Sequence, residues 1–182
     1  LDWGPRESLP TFDLAGRALL VVGFGRIGAR TARLAAAFGD AVIGEEGGGE
    51  PGESVWVVDP IDGTVNFLYG LPVYAVSLGV AVDGELTAGA VINVASGEVY
   101  SAAVGCGAFV DRGGERTPLR TSRAKATETA LVATGFSYNS EWRGKQAAML
   151  CEILPRVRDI RRLGSAALDL CHVAEGRVDA YY

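Results

Sequence analysis

Oxygen-bearing residues that could bind a metal ion cluster in one short segment, Asp59-Pro60-Ile61-Asp62-Gly63-Thr64. Asp59 directly follows the apolar run Val55-Trp56-Val57-Val58, which is typical of a buried strand. Asp62 comes three residues later, close enough to share a cation with Asp59, and the carbonyl of Ile61 would lie in a turn, free to act as a ligand. Since Mg²⁺ prefers such hard oxygen ligands, the segment predicts a magnesium site.

A further acid, Glu45, follows a second short strand candidate, Ala41-Val42-Ile43, so two strand ends could converge on one site. Two carboxylates, a carbonyl and a further acid suit a paired-metal centre for phosphate hydrolysis. In this hypothesis Glu45 bridges the metal ions and, with Thr64, positions and deprotonates a water for in-line attack. Gly63 would let the backbone approach a ligand closely, and Thr64 would open a short helix whose N–H groups favour an anion. The same residues also fit an ordinary turn, helix cap and solvated acidic loop, so spacing alone leaves both interpretations open.

Composition limits the classes of function that the chain can have. Of its 182 residues 48% are hydrophobic, enough for a folded core, and a net charge of -5 provides no basic surplus for binding nucleic acid. No apolar run is long enough to span a membrane, and residues 1–10 do not resemble a signal peptide. The odd set of three cysteines predicts small buried apolar side chains in a reducing compartment. We therefore expect a cytoplasmic protein with neither a nucleic-acid nor a membrane partner.

The elements that must position these residues appear as apolar patterns bounded by turn residues. A β-meander is predicted over residues 73–103, with its strongest turn signal at Asp83-Gly84. Helices are predicted over residues 141–154 and 164–175, the second ended by Gly176. This mixture predicts a layered α/β architecture (an α+β sandwich) rather than a continuous parallel sheet. Further strands are predicted at residues 18–22, 41–43, 55–58, 130–134 and 178–182.

Longer motifs carry a resemblance to a known family. Gly44-Glu45-Glu46 resembles the G-E-E signature, and residues 56–67, W-V-V-D-P-I-D-G-T-V-N-F, resemble the W-x-x-D-P-I-D-G-T-x-N-F signature, of the inositol monophosphatase family. Residues 71–77, 105–109, 162–167 and 176–181 fit the same family in the same order, so the resemblance extends over residues 40–182.

The resemblance implies a phosphomonoesterase with a sugar-phosphatase-like fold that depends on Mg²⁺. Its substrate would be inositol monophosphate or a related small sugar or alcohol phosphate, and which ester is preferred stays open. Homodimers are common in the family, so a second copy of the chain is a candidate partner. By this likeness the metal ligands are Glu45, Asp59, Asp62 and the Ile61 carbonyl, phosphate is held by Gly63 and Thr64, and the sugar or inositol ring contacts Gly164, Ser165 and Ala166.

The N-terminal segment resembles a different family. Residues 12–17, followed by Val21-Val22-Gly23-Phe24-Gly25-Arg26-Ile27-Gly28, are similar to the start of the NAD-binding domain of D-2-hydroxyacid dehydrogenases. This G-x-G-x-x-G motif follows a strand candidate and opens a helix candidate, as a dinucleotide fingerprint requires. No second half of a Rossmann domain and no dehydrogenase His-Glu pair is visible in the sequence. We therefore expect residues 1–39 to be a Rossmann-like strand–helix unit without bound cofactor, joined to an inositol-monophosphatase-like domain at residues 40–182.

The C-terminal end also differs from the family pattern. The family normally continues past a segment like Asp179-Ala180-Tyr181-Tyr182 into a substrate-contacting glutamate and a W-D motif, whose aspartate completes the second metal site; neither is in the sequence. The resulting expectation is a domain that is truncated at its C-terminus, with impaired activity. Three hypotheses follow: a magnesium-dependent phosphomonoesterase, a folded but inactive truncated or chimeric module, and an NAD-binding oxidoreductase fragment.

Overall fold

The computed structural model of the chain describes residues 18–21, 41–44 and 54–182. The helix predicted after Gly28, the glycine motif itself and Glu45 lie outside the described residues. The described elements, in chain order, are β1 (Ala18–Val21), β2 (Ala41–Gly44), β3 (Ser54–Asp62), α1 (Thr64–Leu68), β4 (Ala75–Val82), β5 (Glu85–Asn93), β6 (Val99–Ala103), β7 (Gly107–Arg112), β8 (Glu115–Pro118), β9 (Leu131–Ala133), α2 (Ser140–Ile153), β10 (Asp159–Arg161), α3 (Ala166–Glu175) and β11 (Ala180–Tyr181).

The larger sheet has eight strands in the order β2-β1-β3-β4-β5-β6-β7-β8. At one end, β1 lies between β2 and β3 and runs parallel to both. From β3 onward each strand is antiparallel to the next, which confirms the predicted meander. Because β1, β2 and β3 run parallel, their carboxyl ends meet at the same edge of the sheet, where open α/β sheets commonly bind ligands.

Tight turns of one kind fix the register of two hairpins in this sheet. Asp83 and Gly84, between β4 and β5, both have positive φ, +51° and +81°. Such angles at both central residues define the turn that matches the twist of paired strands, so the predicted Asp-Gly hairpin is confirmed. Gly113 and Gly114 repeat this geometry between β7 and β8, with φ of +63° and +92°.

A second, smaller sheet is parallel, in the order β10-β9-β11. Helix α3 contacts β4 and β5 of the larger sheet and β11 of the smaller one, which places a helix between two sheets. The layered α/β architecture predicted from the sequence is thereby confirmed. Leu168 on α3 is fully buried, and the other buried apolar residues are Val58, Ala75, Tyr100, Val110, Val132, Ala133 and Val178.

Charged side chains fasten the C-terminal end of α3 to the larger sheet. Glu175, on the last turn of α3, pairs with Arg112 of β7 and accepts a hydrogen bond from the Tyr100 hydroxyl of β6 at 3.1 Å. Glu98 pairs with Arg112 and with Arg177, which in turn pairs with Glu175. The network therefore joins β6 and β7 of the meander to the C-terminal end of α3.

Helix α2 lies at the surface, and none of its residues is buried. Asn139 caps it, since the side-chain oxygen accepts hydrogen bonds from the amides of Glu141 and Trp142. Cys151 on α2 and Cys106 in the turn before β7 are both exposed, so the prediction that the cysteines are buried is wrong for these two. At 14 residues α2 is the longest described helix, and no helix of the described ranges is long and apolar enough to cross a membrane.

Candidate functional site

The segment predicted to bind metal lies at the carboxyl end of β3, where the strand leaves its regular pairing. Asp59 pairs with Ser77 and Asp62 pairs with Ala75, with a shift of register between them. Within this irregularity the Ile61 amide donates a hydrogen bond to Oδ1 of Asp59 at 3.1 Å. The strand therefore delivers two carboxylates three residues apart across an irregularity in its pairing. The prediction of a turn at Ile61 is wrong, because β3 continues through Asp62 and the turn begins at Gly63.

The next residues turn the chain into α1. Thr64 is exposed, and its hydroxyl donates a hydrogen bond to the Ile61 carbonyl at 2.9 Å. Gly63 is buried, has a φ of +91° and precedes the first residue of α1. A Cβ atom at Gly63 would lie 3.0 Å from the Val73 carbonyl and 3.1 Å from the Gly164 carbonyl. Only glycine fits both this backbone angle and this close approach.

Residues at the start of α3 donate hydrogen bonds to the Asp62 carboxylate. The hydroxyl of Ser165 and the amide of Ala167, at 2.8 Å, both donate hydrogen bonds to Oδ2 of Asp62. Ser165 is fully buried and also caps α3, because its hydroxyl oxygen accepts a hydrogen bond from the Leu168 amide. The N-terminal end of a helix carries partial positive charge, which favours an anion such as the Asp62 carboxylate. Among the described residues, the hydrogen bonds to this carboxylate fall on Oδ2, which leaves Oδ1 for another ligand.

A buried amide joins the two segments of the site. Asn66 of α1 donates hydrogen bonds from Nδ2 to the carbonyls of Val73 and Leu163, each at 2.7 Å. Gly164, the residue after Leu163, has a φ of +96°, and a Cβ atom there would lie 2.6 Å from Nδ2 of Asn66. The segment before α3 is therefore packed directly against α1.

Carboxylates dominate the electrostatics of the site. Burial and the Asp62 charge raise the pKa of Asp59, whereas the hydrogen bond from the Ile61 amide opposes this rise. Asp169 of α3 is almost fully buried, and among the described residues its Oδ1 has no hydrogen-bond partner. Burial, followed by the Asp62 charge, raises the pKa of Asp169 to about 6, with Arg162 acting in the opposite direction. A nearby cation would relieve this repulsion.

The donor set fits a hard cation such as Mg²⁺. Asp59, Asp62 and the Ile61 carbonyl supply oxygen ligands, and the two carboxylates are close enough for the charge of one to raise the pKa of the other. In the part of the chain that the structure describes, no group of three or more Asp, Glu, His and Cys side chains is arranged to hold a metal ion. Glu45, the further acid that the sequence analysis assigns to this site, lies outside these residues.

The sheet register indicates where such a carboxylate could come from. Val21 of β1 pairs with Gly44 of β2 on one side and with Val58 of β3 on the other. The residue directly before Glu45 is thus level with the residue directly before Asp59. Two strands apart corresponds to about 10 Å between their backbones.

The structure places the described residues predicted for the site in two groups that contact each other. The first lies at the carboxyl end of β3 and the start of α1, the second lies at the start of α3, and Gly63 with Gly164 forms the contact between them. Ala166 is exposed at the first position of α3, whereas the buried Ser165 side chain is engaged by Asp62 and Leu168. The first group comprises Asp59, Ile61, Asp62, Gly63 and Thr64, the second comprises Gly164, Ser165 and Ala166, and Glu45 lies outside the described residues.

Two residues near the site were missed by reasoning from the sequence. Asn66 is part of the long signature motif, but only its tertiary contacts reveal what it holds. Asp169 has the appearance of an acid in the first turns of a helix, which ordinarily interacts with the helix dipole at the surface. No local signal marks it as buried, because of its two neighbours in sequence Leu168 is buried and Leu170 is exposed.

The fold and this site agree with a comparison against known families. The inositol monophosphatase family matches residues 28–182, so the chain belongs to this family. A second match, to the NAD binding domain of D-isomer specific 2-hydroxyacid dehydrogenases, covers residues 1–54. Both resemblances expected from the sequence are therefore confirmed, and the two matches overlap over residues 28–54.

Individual relatives support the same assignment. The chain is 54% identical over 151 residues to inositol-1-monophosphatase SuhB of Mycobacterium tuberculosis, an alignment that covers 79% of this chain and 52% of that protein. The solved structure of Mycobacterium tuberculosis SuhB matches with a TM-score of 0.76 and 50% identity, over 85% of this chain and 63% of that one. The solved structure of SaIMPase-II with bound inositol monophosphate matches with a TM-score of 0.58 and 37% identity, over 70% of this chain and 48% of that one. The chain spans about half the length of the curated relatives it matches.

Proposed function

We propose that this chain acts in a magnesium-dependent phosphomonoesterase that hydrolyses inositol monophosphate or a related sugar or alcohol phosphate. The observation that carries the proposal is the placement of Asp62, three residues after Asp59 across an irregularity in the pairing of β3 and held there by Ser165 and Ala167 at the start of α3. The names of the relatives support phosphate-ester hydrolysis, and the bound ligand of SaIMPase-II supports inositol monophosphate as substrate.

In this proposal the cation is held by the carboxylates of Asp59 and Asp62, the Ile61 carbonyl and Glu45. When bound, Mg²⁺ stabilises the negative charge of the transferring phosphoryl group. The hydrogen bonds that Asp62 receives on Oδ2 keep its other oxygen directed away from α3 and available as a ligand. Replacing residues that orient a metal ligand in this way typically lowers metal affinity or activity by about 10- to 100-fold.

Thr64 would orient the attacking water. Its hydroxyl proton is committed to the Ile61 carbonyl, so the oxygen is left with lone pairs that can accept a hydrogen bond from water. Glu45 would accept the water's other proton as a general base. The backbone N–H groups of Gly63 and Thr64 would bind phosphate oxygens, since the first N–H groups of a helix lack intrahelical partners.

The segment before α3 would contact the organic part of the substrate. Ala166 is exposed there, whereas Gly164 packs against Asn66 and would contact the substrate through its backbone. The Ser165 side chain already binds Asp62 and the Leu168 amide, so we propose that Ser165 contributes to ring binding through its backbone. All three cysteines are free thiols, which supports a reducing compartment such as the cytoplasm.

Phosphate release from inositol 1-phosphate, measured with and without Mg²⁺, tests the proposal. We expect turnover that requires Mg²⁺ and falls about 100-fold or more in Asp62→Asn, because charge stabilisation by a bound metal contributes several kcal/mol. The matched control is Asp83→Asn, which makes the same change in the exposed turn between β4 and β5 and should leave turnover unchanged. Equal activity of the Asp62→Asn and wild-type proteins would reject the site. A wild-type chain that neither binds Mg²⁺ nor releases phosphate would favour the inactive-module hypothesis.

A second candidate function, binding of NAD, is favoured by the match of residues 1–54 to an NAD binding domain. Titration with NADH, followed by its fluorescence, tests it. A fluorescence change that weakens in Gly25→Val would support cofactor binding. No change at millimolar NADH would remove this candidate and leave the glycine motif with a structural role. We propose the latter, with residues 1–39 as a Rossmann-like unit and residues 40–182 as the phosphatase-like domain.

A further inference from the structure

We propose that Asn66 is a positioning residue for the candidate metal site. Asn66 sets the distance between the start of α3 and the segment of residues 59–64, which is called here the site turn. The structural part of this inference rests on the contacts of Asn66. Its consequence for metal binding rests on the proposed function. Asn66 does not bind the carboxylates itself. It acts through the segment that leads from Leu163 to Ala167.

The first step concerns the hydrogen bonds of the Asn66 amide. Asn66 lies two residues after Thr64, on α1, and only 6% of its surface is exposed. Its amide nitrogen donates to the carbonyls of Val73 and Leu163, at 2.7 Å each, and these residues are far apart in sequence. A carboxylate at this position has no proton to donate and would face two carbonyl oxygens, so a neutral amide is required.

The second step concerns packing around this amide. Gly164 approaches Asn66 so closely that a Cβ atom would lie 2.6 Å from Nδ2 and 2.9 Å from Oδ1. Gly63 of the site turn lies against the Gly164 carbonyl, since a Cβ atom at Gly63 would lie 3.1 Å from that oxygen. The site turn and the segment before α3 are therefore in backbone contact, and Asn66 fixes that contact on one side.

The third step links this contact to the metal ligand. Ser165 and Ala167, which donate to Oδ2 of Asp62, follow Leu163 by only two and four residues. A displacement of the Leu163 carbonyl would therefore be transmitted to the two donors that orient Asp62. Hydrogen bonds weaken steeply with length and angle, so a small displacement at Leu163 would disturb the Asp62 carboxylate.

The decisive experiment compares Asn66→Asp with the same substitution at Asn93. The Asn93 side chain accepts hydrogen bonds from the amides of Ala95 and Ser96 through its oxygen, an ability that aspartate keeps, so Asn93→Asp is a matched control. Amide hydrogen exchange at Ala167, measured by NMR, reports the Asp62 contact without any metal. Calorimetric titration with Mg²⁺ reports the site directly. For Asn66→Asp we expect exchange at Ala167 at least tenfold faster and Mg²⁺ affinity about tenfold weaker, as for other residues that orient metal ligands.

A folded Asn66→Asp protein with unchanged exchange at Ala167 and unchanged Mg²⁺ affinity would overturn the proposal. If Asn66→Asp does not fold, Gly164→Ala perturbs the same contact from the opposite side and should give the same two changes, with Gly144→Ala, where an added Cβ meets no neighbour, as its control. Failure of both variants to fold would also overturn the proposal, because the contact would then serve folding in general. If the wild-type chain binds no Mg²⁺, the proposed function fails, whereas the exchange measurement still decides whether Asn66 positions Asp62.

Discussion

At the scale of single residues, Ser165 performs two tasks with one buried hydroxyl. It donates its proton to Asp62 and accepts a hydrogen bond from the Leu168 amide, so the cap of α3 and the orientation of a candidate metal ligand depend on the same atom. An N-cap residue ordinarily serves only its helix. Here the same hydroxyl also binds Asp62, so a change at Ser165 affects the helix and the candidate site together.

Removal of this hydroxyl should therefore affect both stability and metal binding. We expect Ser165→Ala to lower the free energy of unfolding by about 1–2 kcal/mol, because it removes a helix cap and leaves the half-buried Asp62 carboxylate with fewer donors. Urea denaturation measures this loss. Mg²⁺ affinity, from calorimetric titration, should fall as well.

Asn139→Ala provides the control, since Asn139 caps α2 at the surface and has no contact with the site among the described residues. This control should lose about 1 kcal/mol of stability and keep its Mg²⁺ affinity. If the two variants bind Mg²⁺ equally well, the Ser165 hydroxyl is only a cap.

Sequence reasoning found the site residues that local patterns mark and missed those that tertiary contacts define. Asp59 directly follows an apolar run, and Asp62 directly precedes a glycine. Both signals lie next to the residues that they mark. Asn66 and Asp169 carry no such signal, because the partner that explains Asn66 is Leu163, 97 positions away, and the charge that raises the pKa of Asp169 is on Asp62. A pattern of nearby residues cannot contain that information.

At the scale of elements, the charge network at the end of α3 should make stability depend on pH. Burial alone would raise the pKa of Glu98, but hydrogen bonds from Arg112 and Ser96 and the charges of Arg177 and Arg112 outweigh it and lower the pKa. Because the pKa is lower in the folded state, the ionised form of Glu98 stabilises the fold above the ordinary value of 4.5. This stabilisation is lost as the pH falls below 4.5 toward the pKa of the folded state.

Glu98→Gln tests this dependence. Above pH 5 the variant should be less stable than the wild type by about 1 kcal/mol, the size of a favourable ion pair at a partly exposed position. The difference should shrink as the pH falls below 4.5 toward the pKa of the folded state, because the wild-type carboxylate then loses its charge and becomes neutral like the amide of the variant. Urea denaturation at a series of pH values from 3 to 7 measures it. Glu85→Gln, at an exposed position at the start of β5, is the control, and a difference between wild type and Glu98→Gln that does not vary with pH would contradict the prediction.

Elements were predictable where their hydrophobic pattern was strong. The β4–β5 hairpin follows from two apolar runs around Asp83-Gly84, and its turn has the expected geometry. Strand β8 was missed, because all four of its residues are exposed and polar or turn-forming, so no alternation of apolar residues marks it. Strand β10 was missed because it has only three residues and is held by its parallel pairing with β9, a contact between distant parts of the chain.

At the scale of the whole molecule, the sheet joins the two segments that the family matches distinguish. Strand β1 belongs to the segment that matches an NAD binding domain, yet it lies between β2 and β3 and pairs with both. Strand β3 leads into the site turn, so its hydrogen bonds to β1 support one side of the strand that carries Asp59. The pairing implies that β1 is part of the same sheet as the strand that leads into the site turn.

Leu20→Pro tests this integration. Leu20 lies inside β1, level with Ile43 of β2 and Val57 of β3, and proline removes an N–H from a strand that is paired on both sides. We expect the variant to lose about 3 kcal/mol of unfolding free energy, measured by urea denaturation in a single cooperative transition, and to lose Mg²⁺ affinity because β3 is no longer supported. Leu20→Val keeps the N–H and suits a strand, so it should retain both properties. Leu20→Pro could instead keep the unfolding free energy and the Mg²⁺ affinity of the wild type. In that case β1 contributes nothing to the site, and the two segments behave as separate units despite their shared sheet.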